Sequence, residues 1–251
     1  MLQISHLAKS FGGVKATDDV SVEFADGSLT AVIGPNGAGK STFFNLITGA
    51  LTPDAGQILL DGTDLAGRTP PDIVRHGVGR AFQVASIFPT LTVHETMLAA
   101  VAADQRRAGV MHRRFPMAET RDRAEHAMAV LGLASKRDRK AATLSHGDQK
   151  LLDIALALVL DPKVLLLDEP TAGMGTEERW RMIDKVHELW RQQKITVVFI
   201  EHDMDIVFKI APHIVVLCYG RILAAGTPDD IRRNQAVIDA YLGTEQHAGP
   251  A

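Results

Sequence analysis

The amino-acid sequence predicts an α/β fold, with a mixed sheet core interrupted by an inserted helical segment. Short apolar strands bounded by turn residues recur in the first and last thirds of the chain. Apolar runs such as Val164–Leu167 do not alternate with polar residues, which is typical of strands buried on both faces of a parallel sheet. The middle third is rich in Ala, Leu, Met and Arg, a composition that favours helices.

The predicted elements follow this division in order. In the first third we expect one helix, Lys40–Thr48, and the strands Leu2–Leu7, Val20–Phe24, Leu29–Ile33 and Gln57–Leu60. The middle third predicts the helices Val93–Ala103, Ala118–Leu131 and Gly147–Leu160. The last third predicts the strands Val164–Leu167, Thr196–Ile200 and Ile214–Leu217, and the helices Glu177–Gln192 and Met204–Ile210. The expected organisation is a core of residues 1–83 and 161–242, a helical subdomain of residues 84–160 and a flexible polar tail of residues 243–251.

Composition excludes several broad classes of protein. The 251 residues include 46% hydrophobic and 23% charged residues, which argues against a disordered chain. The formal net charge of −3 gives no basic excess for binding nucleic acid. The single cysteine, Cys218, cannot form an internal disulfide. Because neither a signal peptide nor an apolar run of about 20 residues is apparent, we expect a soluble, intracellular chain unless a partner holds it at a membrane.

A glycine-rich loop carries the strongest functional pattern. The segment Gly34–Ser41 reads GPNGAGKS and fits the phosphate-loop pattern G-x-x-x-x-G-K-[ST], with a predicted strand before it and a helix after it. Glycines let backbone N–H groups turn towards a polyphosphate, while Lys40 supplies a point charge and the Ser41 hydroxyl suits Mg²⁺. A chance glycine-rich turn is the alternative, and the strand–helix context argues against it. The candidate nucleotide-binding residues of this loop are Gly34, Asn36, Gly37, Ala38, Gly39, Lys40, Ser41 and Thr42.

Two further segments carry candidate chemistry. The strand Val164–Leu167 ends in Asp168, which can help to hold Mg²⁺, and in Glu169, which can polarise an attacking water as a general base. An ordinary Asp-Glu turn is the alternative for this pair. In the segment Leu144–Gln149, Ser145 is a good helix N-cap and Gly147 lets backbone N–H groups face an anion, but a plain capping sequence explains the same residues.

The order and spacing of these motifs resemble those of the P-loop ATPases of ATP-binding-cassette (ABC) transporters, over nearly the whole chain. The resemblance implies that Phe11 stacks on adenine, that Gln83 contacts Mg²⁺ or water, and that His202 touches the γ-phosphate. It also implies that Ser145 and Gly147 bind the ATP of the opposite subunit, so that two active sites form in a head-to-tail dimer. The cofactors implied are ATP and Mg²⁺. A P-loop kinase or GTPase would not require the Leu144–Gln149 segment or His202.

Within this family the chain is similar to the ATP-binding subunits of branched-chain or hydrophobic amino-acid importers. The similarity lies in Ala81–Gln83, Ile87–Val93, Glu201–Met204, Ala240–Gly243 and the loop Asp104–Pro116. It implies an ATPase on the cytoplasmic face of a bacterial inner membrane, bound to permease subunits and to a second ATPase subunit that is either a copy or a paralogue. A periplasmic solute-binding protein would be an indirect partner, and nucleic acid would not be one. The alternatives are urea or amide import, lipid or lipopolysaccharide extraction, and a non-transport ABC ATPase.

Three positions depart from the family pattern. His146 stands where a glycine is usual, Asp148 where a glutamine is usual, and Gly175 where an aspartate is usual. We expect Ser145 and Gly147 to carry the nucleotide contact while His146 points away. Docking on the permease is expected to involve residues 83–91 and the helical subdomain. The four arginines of residues 104–116 are expected to lie in a solvated loop, and a contact with RNA or lipid is the alternative.

Overall fold

A computed structural model describes residues 1–81, 88–104 and 118–245, without the side chains of residue 104 and residues 242–245. The chain forms two compact units, one of Met1–His76 with Lys194–Ala251 and one of Gly77–Gln193. The boundaries predicted at residues 83/84 and 160/161 stay a prediction. No helix within the described ranges is both long and apolar enough to cross a bilayer.

The elements of the described residues are numbered in chain order. The strands are β1 (Leu2–Phe11), β2 (Val14–Phe24), β3 (Leu29–Ile33), β4 (Ala55–Leu60), β5 (Thr63–Asp64), β6 (Val78–Ala81), β7 (Val164–Asp168), β8 (Thr196–Ile200), β9 (His213–Cys218) and β10 (Arg221–Gly226). The helices are α1 (Lys40–Ile47), α2 (Pro70–Arg75), α3 (Val93–Asp104), α4 (Ala118–Val130), α5 (His146–Leu158), α6 (Thr176–Gln193), α7 (Met204–Ile210), α8 (Pro228–Arg233) and α9 (Gln235–Glu245). Short 3₁₀ turns cover Ala134–Lys136 and Ala141–Thr143.

Two strand groups build the first unit. In the antiparallel group, β1 lies between β2 and β4, so that Leu2 faces both Phe24 and Leu60. In the other group, β3 lies between β8 and β9 and is parallel to both, while β10 runs antiparallel to β9. All five residues of β3 and all five of β8 are buried, as expected for strands of a parallel sheet that is covered on both faces. The parallel arrangement brings the carboxyl ends of β3 and β8 to the same edge.

The core of the first unit includes an aromatic cluster behind the glycine-rich loop. Phe43 and Phe44 of α1 are 1% and 0% exposed, and their ring centroids lie 6.4 Å apart. Phe24 at the end of β2 lies 6.5 Å from Phe43. Tilted ring pairs at this separation add to the free energy of apolar burial. The cluster therefore holds the helix that follows the loop.

The second unit combines a parallel strand pair with helices. β6 pairs with β7 in parallel register, with Arg80 opposite Leu166. The helices α3 and α4 pack on each other, and both contact α5. Their buried side chains are apolar ones such as Met97, Val101 and Met128. The helical composition of the middle third therefore predicted this region correctly over residues 93–104 and 118–130.

Several elements lie beyond those that the sequence predicted. β1 continues to Phe11 through irregular pairing with β2, and β10 shows an alternating half-buried pattern with only a few strong strand formers. The short helices α2 and α8 each begin with proline, which suits a first helical turn but gives no periodicity to detect. α9 extends to Glu245, so residues 243–245 of the predicted tail are helical, and residues 246–251 lie outside the described residues.

The buried aromatic cluster predicts a strong dependence of stability on Phe43. Replacing Phe43 with alanine removes a ring that is 1% exposed, and we expect a loss of about 3–5 kcal/mol in the free energy of unfolding. Phe11→Ala is the matched control, because Phe11 is 46% exposed, and its expected cost is below about 1 kcal/mol. Urea unfolding of both variants measures the difference. Equal losses would contradict the packing described for α1.

Candidate functional site

The glycine-rich loop joins the buried strand β3 to the start of α1. Gly34 has a φ of +152° and Gly39, the N-cap residue of α1, has a φ of +101°. Gly39 brings no side chain to cap the helix, and the first turn of α1 carries no acidic residue. The N–H groups and the positive end of the helix dipole are therefore left for an anion.

The backbone behind this loop explains two of its glycines more strictly than phosphate binding does. A Cβ atom on Gly34 would lie 2.0 Å from the carbonyl oxygen of Leu217 in β9. A Cβ atom on Gly39 would lie 2.1 Å from the carbonyl oxygen of Ala16 in β2. Since atoms cannot approach so closely, any other residue would push the loop away from these strands. Sequence reasoning assigned these glycines only to the phosphate side of the loop.

Further hydrogen bonds support the loop from the turn between β9 and β10. The Gly220 N–H donates to the Ala38 carbonyl oxygen at 3.0 Å, and the Asp18 N–H donates to the Gly220 carbonyl oxygen at 2.7 Å. Arg221 donates to the Asp18 carboxylate from Nε and Nη2, at 2.9 and 2.7 Å. These bonds from Arg221, with one from Lys15, lower the pKa of Asp18. Hydrogen bonds through Gly220 therefore join the loop to Asp18 of β2.

Lys40 is the buried cation of the loop. Lys40 is 7% exposed, and its Nζ donates to the carbonyl oxygens of Gly34 and Pro35, at 2.6 and 3.0 Å. The next residue, Ser41, is exposed. An ammonium group inside the loop and a hydroxyl at its rim are the groups that a polyphosphate and its metal ion require.

The C-terminal helix also reaches this loop. Tyr241 of α9 is half-buried, and burial raises the pKa of its phenol to about 12, while an interaction with the Gly34 backbone lowers this pKa in part. The phenol therefore lies against the first glycine of the loop. The sequence marked Ala240–Gly243 as a family feature without indicating this contact.

Two other predicted site residues are accessible in the first unit. Phe11, at the end of β1, is 46% exposed, and Lys9 Nζ lies 5.7 Å from its ring centroid. His202 follows β8 and is exposed. Asp203 caps α7 by accepting the N–H of Asp205 at 3.1 Å, which shapes the turn that carries His202. Neither ring is buried in the core.

In the second unit, β7 ends in the predicted acidic pair. Asp168 is 8% exposed, and Arg80 of β6 donates from Nη2 to its Oδ2 at 2.6 Å. Sequence reasoning missed Arg80, although a lone charge within the strand Val78–Ala81 was an available signal. Glu169 adopts a φ of +48°, a conformation that costs on the order of 1 kcal/mol for a non-glycine residue and that Asp161, Lys194 and Tyr219 share.

Ser145 is the N-cap of α5, as the capping interpretation of its segment predicts. The Asp148 N–H donates to Ser145 Oγ at 3.2 Å, and Ser145 Oγ donates to Asp148 Oδ2 at 2.8 Å. The Gly147 N–H donates to Glu178 Oε1 of α6 at 3.1 Å, and a Cβ on Gly147 would lie 2.4 Å from that oxygen. A side chain at position 147 would therefore displace the Glu178 carboxylate from this N–H group.

Three residues of the second unit depart from the family pattern, and two of them, His146 and Asp148, form hydrogen bonds. His146 Nε2 donates to the Ala172 carbonyl oxygen at 3.2 Å, so its ring points to the loop after Glu169. Lys136 Nζ donates to Asp148 Oδ1 at 2.5 Å. A Cβ on Gly175 would meet nothing within 4 Å.

A charged cavity of about 720 Å³ lies beside this segment. Its charged lining residues are Lys136, Asp148, Glu178, Arg181, Asp184 and Lys185. Ser145 and Gly147 also line it. The cavity is therefore polar at the N-terminus of α5.

The donor set for a metal ion is small. Within the described ranges, no group of three His, Cys, Asp or Glu residues could hold a metal ion. Of the residues predicted to bind a metal ion, Ser41 lies in the first unit, Asp168 lies in the second unit, and Gln83 lies outside the described residues. Hydroxyl and carboxylate oxygens are donors of the type that Mg²⁺ prefers.

Comparison with known proteins places these features in one family. Residues 17–172 match the family model described as ABC transporter, and residues 221–247 match the model described as branched-chain amino acid ATP-binding cassette transporter. The high-affinity branched-chain amino acid transport ATP-binding protein LivG of Escherichia coli K12 is 38% identical over 250 residues, which is 97% of this chain and 98% of LivG. BraF of Pseudomonas aeruginosa, which carries the same description, is 38% identical over 249 residues, again 97% of this chain and 98% of the relative.

A solved structure shows the same architecture. The ADP conformation of MJ1267, an ATP-binding cassette of an ABC transporter, superposes with a TM-score of 0.84 at 31% identity. The superposition covers 97% of this chain and 98% of MJ1267.

The close backbone contacts of the loop predict that Gly39→Ala is damaging. The added Cβ would meet the Ala16 carbonyl oxygen at 2.1 Å at a φ of +101°, and we expect a loss of about 2 kcal/mol or more in stability. Binding of a fluorescent ATP analogue should weaken with it. Gly175→Ala is the control, since its Cβ meets nothing within 4 Å, and it should cost nothing measurable or stabilise by up to about 1 kcal/mol. A Gly39→Ala protein that unfolds like the parent in urea would disprove the contact.

Proposed function

The chain belongs to the ABC transporter family, and from that premise we propose that it is the ATP-binding and hydrolysing subunit of an importer for branched-chain amino acids. Members of this family are ATPases coupled to transport, and the chain is such an ATPase. The importer and its substrate are supported by near full-length similarity to LivG and BraF, whose descriptions name branched-chain amino acid transport. The match at residues 221–247 supports the same group.

The observation that carries nucleotide binding is the loop between β3 and α1. We assign its residues to the phosphates of ATP: Gly34, Asn36, Gly37, Ala38, Gly39, Lys40, Ser41 and Thr42. The backbone N–H groups donate to phosphate oxygens, and Lys40 Nζ exchanges the carbonyl oxygens of Gly34 and Pro35 for the β- and γ-phosphates. Phe11 stacks on adenine, a role supported by its 46% exposure.

Mg²⁺ would be held by Ser41, Asp168 and Gln83, and when bound it supplies positive charge to the β- and γ-phosphates. Arg80 donates to Oδ2 of Asp168 at 2.6 Å, which fixes the position of the carboxylate. Arg80 thereby orients Asp168.

Hydrolysis is assigned to Glu169, with His202 and Gln83 as accessory residues. Glu169 accepts a proton from the water that attacks the γ-phosphorus, and the bond to the bridging oxygen of ADP breaks. The position of Glu169, directly after Asp168 at the end of β7, supports this assignment. His202, exposed after β8, contacts the γ-phosphate.

Ser145 and Gly147 are assigned to the ATP held by a second ATPase subunit, either a copy of this chain or a paralogue. ATP binding then closes the dimer and hydrolysis reopens it. We place the dimer on permease subunits at the cytoplasmic face of a bacterial inner membrane, with a periplasmic solute-binding protein as an indirect partner. Phe88, in the segment proposed for docking, is 56% exposed, which supports an apolar contact there.

The transport proposal predicts substrate uptake that depends on this chain. Cells that carry the native permeases but lack the chain should lose uptake of labelled leucine, isoleucine and valine, and the wild-type gene should restore it. A gene carrying Lys40→Ala should restore no uptake, because the phosphate-binding cation is absent. Restoration of labelled urea uptake instead would contradict the amino-acid assignment and favour the urea alternative.

The assignment of Glu169 predicts separable binding and hydrolysis. Glu169→Gln should lower the ATPase rate at least about 100-fold, because an amide cannot accept the proton, while ATP binding persists and a closed dimer accumulates. Glu177 is an exposed residue of α6, so Glu177→Gln removes the same charge and should leave the ATPase rate unchanged. Hydrolysis by Glu169→Gln at the parent rate would remove Glu169 from the role of general base.

A further inference from the structure

An unfavourable charge stands in the segment proposed to contact the partner's ATP. Asp148 lies three residues after Ser145, and its carboxylate accepts the Ser145 hydroxyl at 2.8 Å. An unpaired carboxylate so close to a triphosphate would repel it. The segment can bind an anion only if this charge is neutralised.

Lys136 supplies that neutralisation. It ends the 3₁₀ turn Ala134–Lys136, and its Nζ lies 2.5 Å from Asp148 Oδ1. The two side chains are 32% and 17% exposed, so water screens the pair only in part. Lys136 donates to one carboxylate oxygen and Ser145 to the other, so the three side chains form the hydrogen-bonded triad Lys136–Asp148–Ser145.

The same hydrogen-bonded triad determines where the Ser145 hydroxyl proton points. Oγ accepts the Asp148 N–H at 3.2 Å and gives its own proton to Asp148 Oδ2. To donate to a phosphate, the hydroxyl must turn away from the carboxylate and leave Oδ2 without that donor. An ammonium group has three N–H donors, so Lys136 can satisfy the carboxylate after the hydroxyl has turned.

A second lysine on the cavity has a different partner. Lys185 Nζ lies 2.8 Å from Glu188 Oε2 on its own helix, α6. Lys185 thus provides a matched comparison for the loss of one lysine charge near the same cavity.

We propose that Lys136 is a positioning residue for the contact with the partner's nucleotide: it neutralises Asp148 and releases the Ser145 hydroxyl to the phosphate. The inference rests on the proposed function of Ser145. It gives the departure from glutamine at position 148 a compensating partner 12 residues earlier in the chain.

The test measures ATP-dependent dimerisation of the full chain by sedimentation, with Glu169→Gln present in every protein to block hydrolysis. Lys136→Met should raise the ATP concentration for half-maximal dimerisation roughly tenfold, because one carboxylate is left unpaired beside the phosphates. Lys136→Met/Asp148→Asn should restore the parent value within about twofold, since the repelling charge is gone. Lys136→Arg and Lys185→Met should stay within about twofold of the parent.

The double variant separates charge compensation from a merely structural bond. If Lys136 served only to tie the 3₁₀ turn to α5, the double variant would remain as impaired as Lys136→Met, and the proposal would be overturned. Parent-like dimerisation of Lys136→Met would overturn it as well. Thermal unfolding of each variant confirms that the folded protein is compared.

A separate arm tests the function on which this inference rests. Ser145→Arg should abolish ATP-dependent dimerisation and the ATPase activity measured without Glu169→Gln. Parent-like behaviour of Ser145→Arg would overturn the assignment of the segment to the partner's ATP, and the role of Lys136 with it. Loss with Ser145→Arg but no effect of Lys136→Met would overturn the role of Lys136 alone.

Discussion

The closeness of the backbone behind the glycine-rich loop is the constraint on which the nucleotide-binding part of this chain depends. Gly34 and Gly39 allow the loop to lie against the carbonyl oxygens of Leu217 and Ala16 with no room for a Cβ atom. The loop is thereby positioned by strands on either side of it in the fold. Its N–H groups are preorganised before any phosphate arrives, so binding does not have to order them.

The acidic residues of the second unit show a complementary constraint. Asp168 is paired with Arg80, and Asp148 is paired with Lys136. In both pairs the basic residue comes from a different element and binds one of the two carboxylate oxygens. A carboxylate near a triphosphate repels it unless such a partner is present. Neutralising partners therefore make acidic side chains compatible with an anionic ligand.

Much of the fold could be predicted because its central strands carry an unambiguous signal. β3, β7 and β8 are mostly apolar and buried at every position, and their predicted bounds agree with the structure to within one residue. β6 and β10 were missed because each mixes polar or small residues with apolar ones. The helices α2 and α8 have six residues each, too few for a 3.6-residue period to be recognised.

The sequence by itself determined which residue types the candidate site offers: a glycine-rich loop with a lysine and a hydroxyl, and a buried strand that ends in two carboxylates. These depend on residue types at short spacing, which are read directly along the chain. Only the tertiary structure decided the partners, Arg80 for Asp168, Lys136 for Asp148 and Glu178 for the Gly147 N–H. Each partner lies between 12 and 88 residues away along the chain, and only folding brings the two groups within hydrogen-bond distance. The physical reason is that a hydrogen bond acts over about 3 Å of space, whatever the separation in sequence.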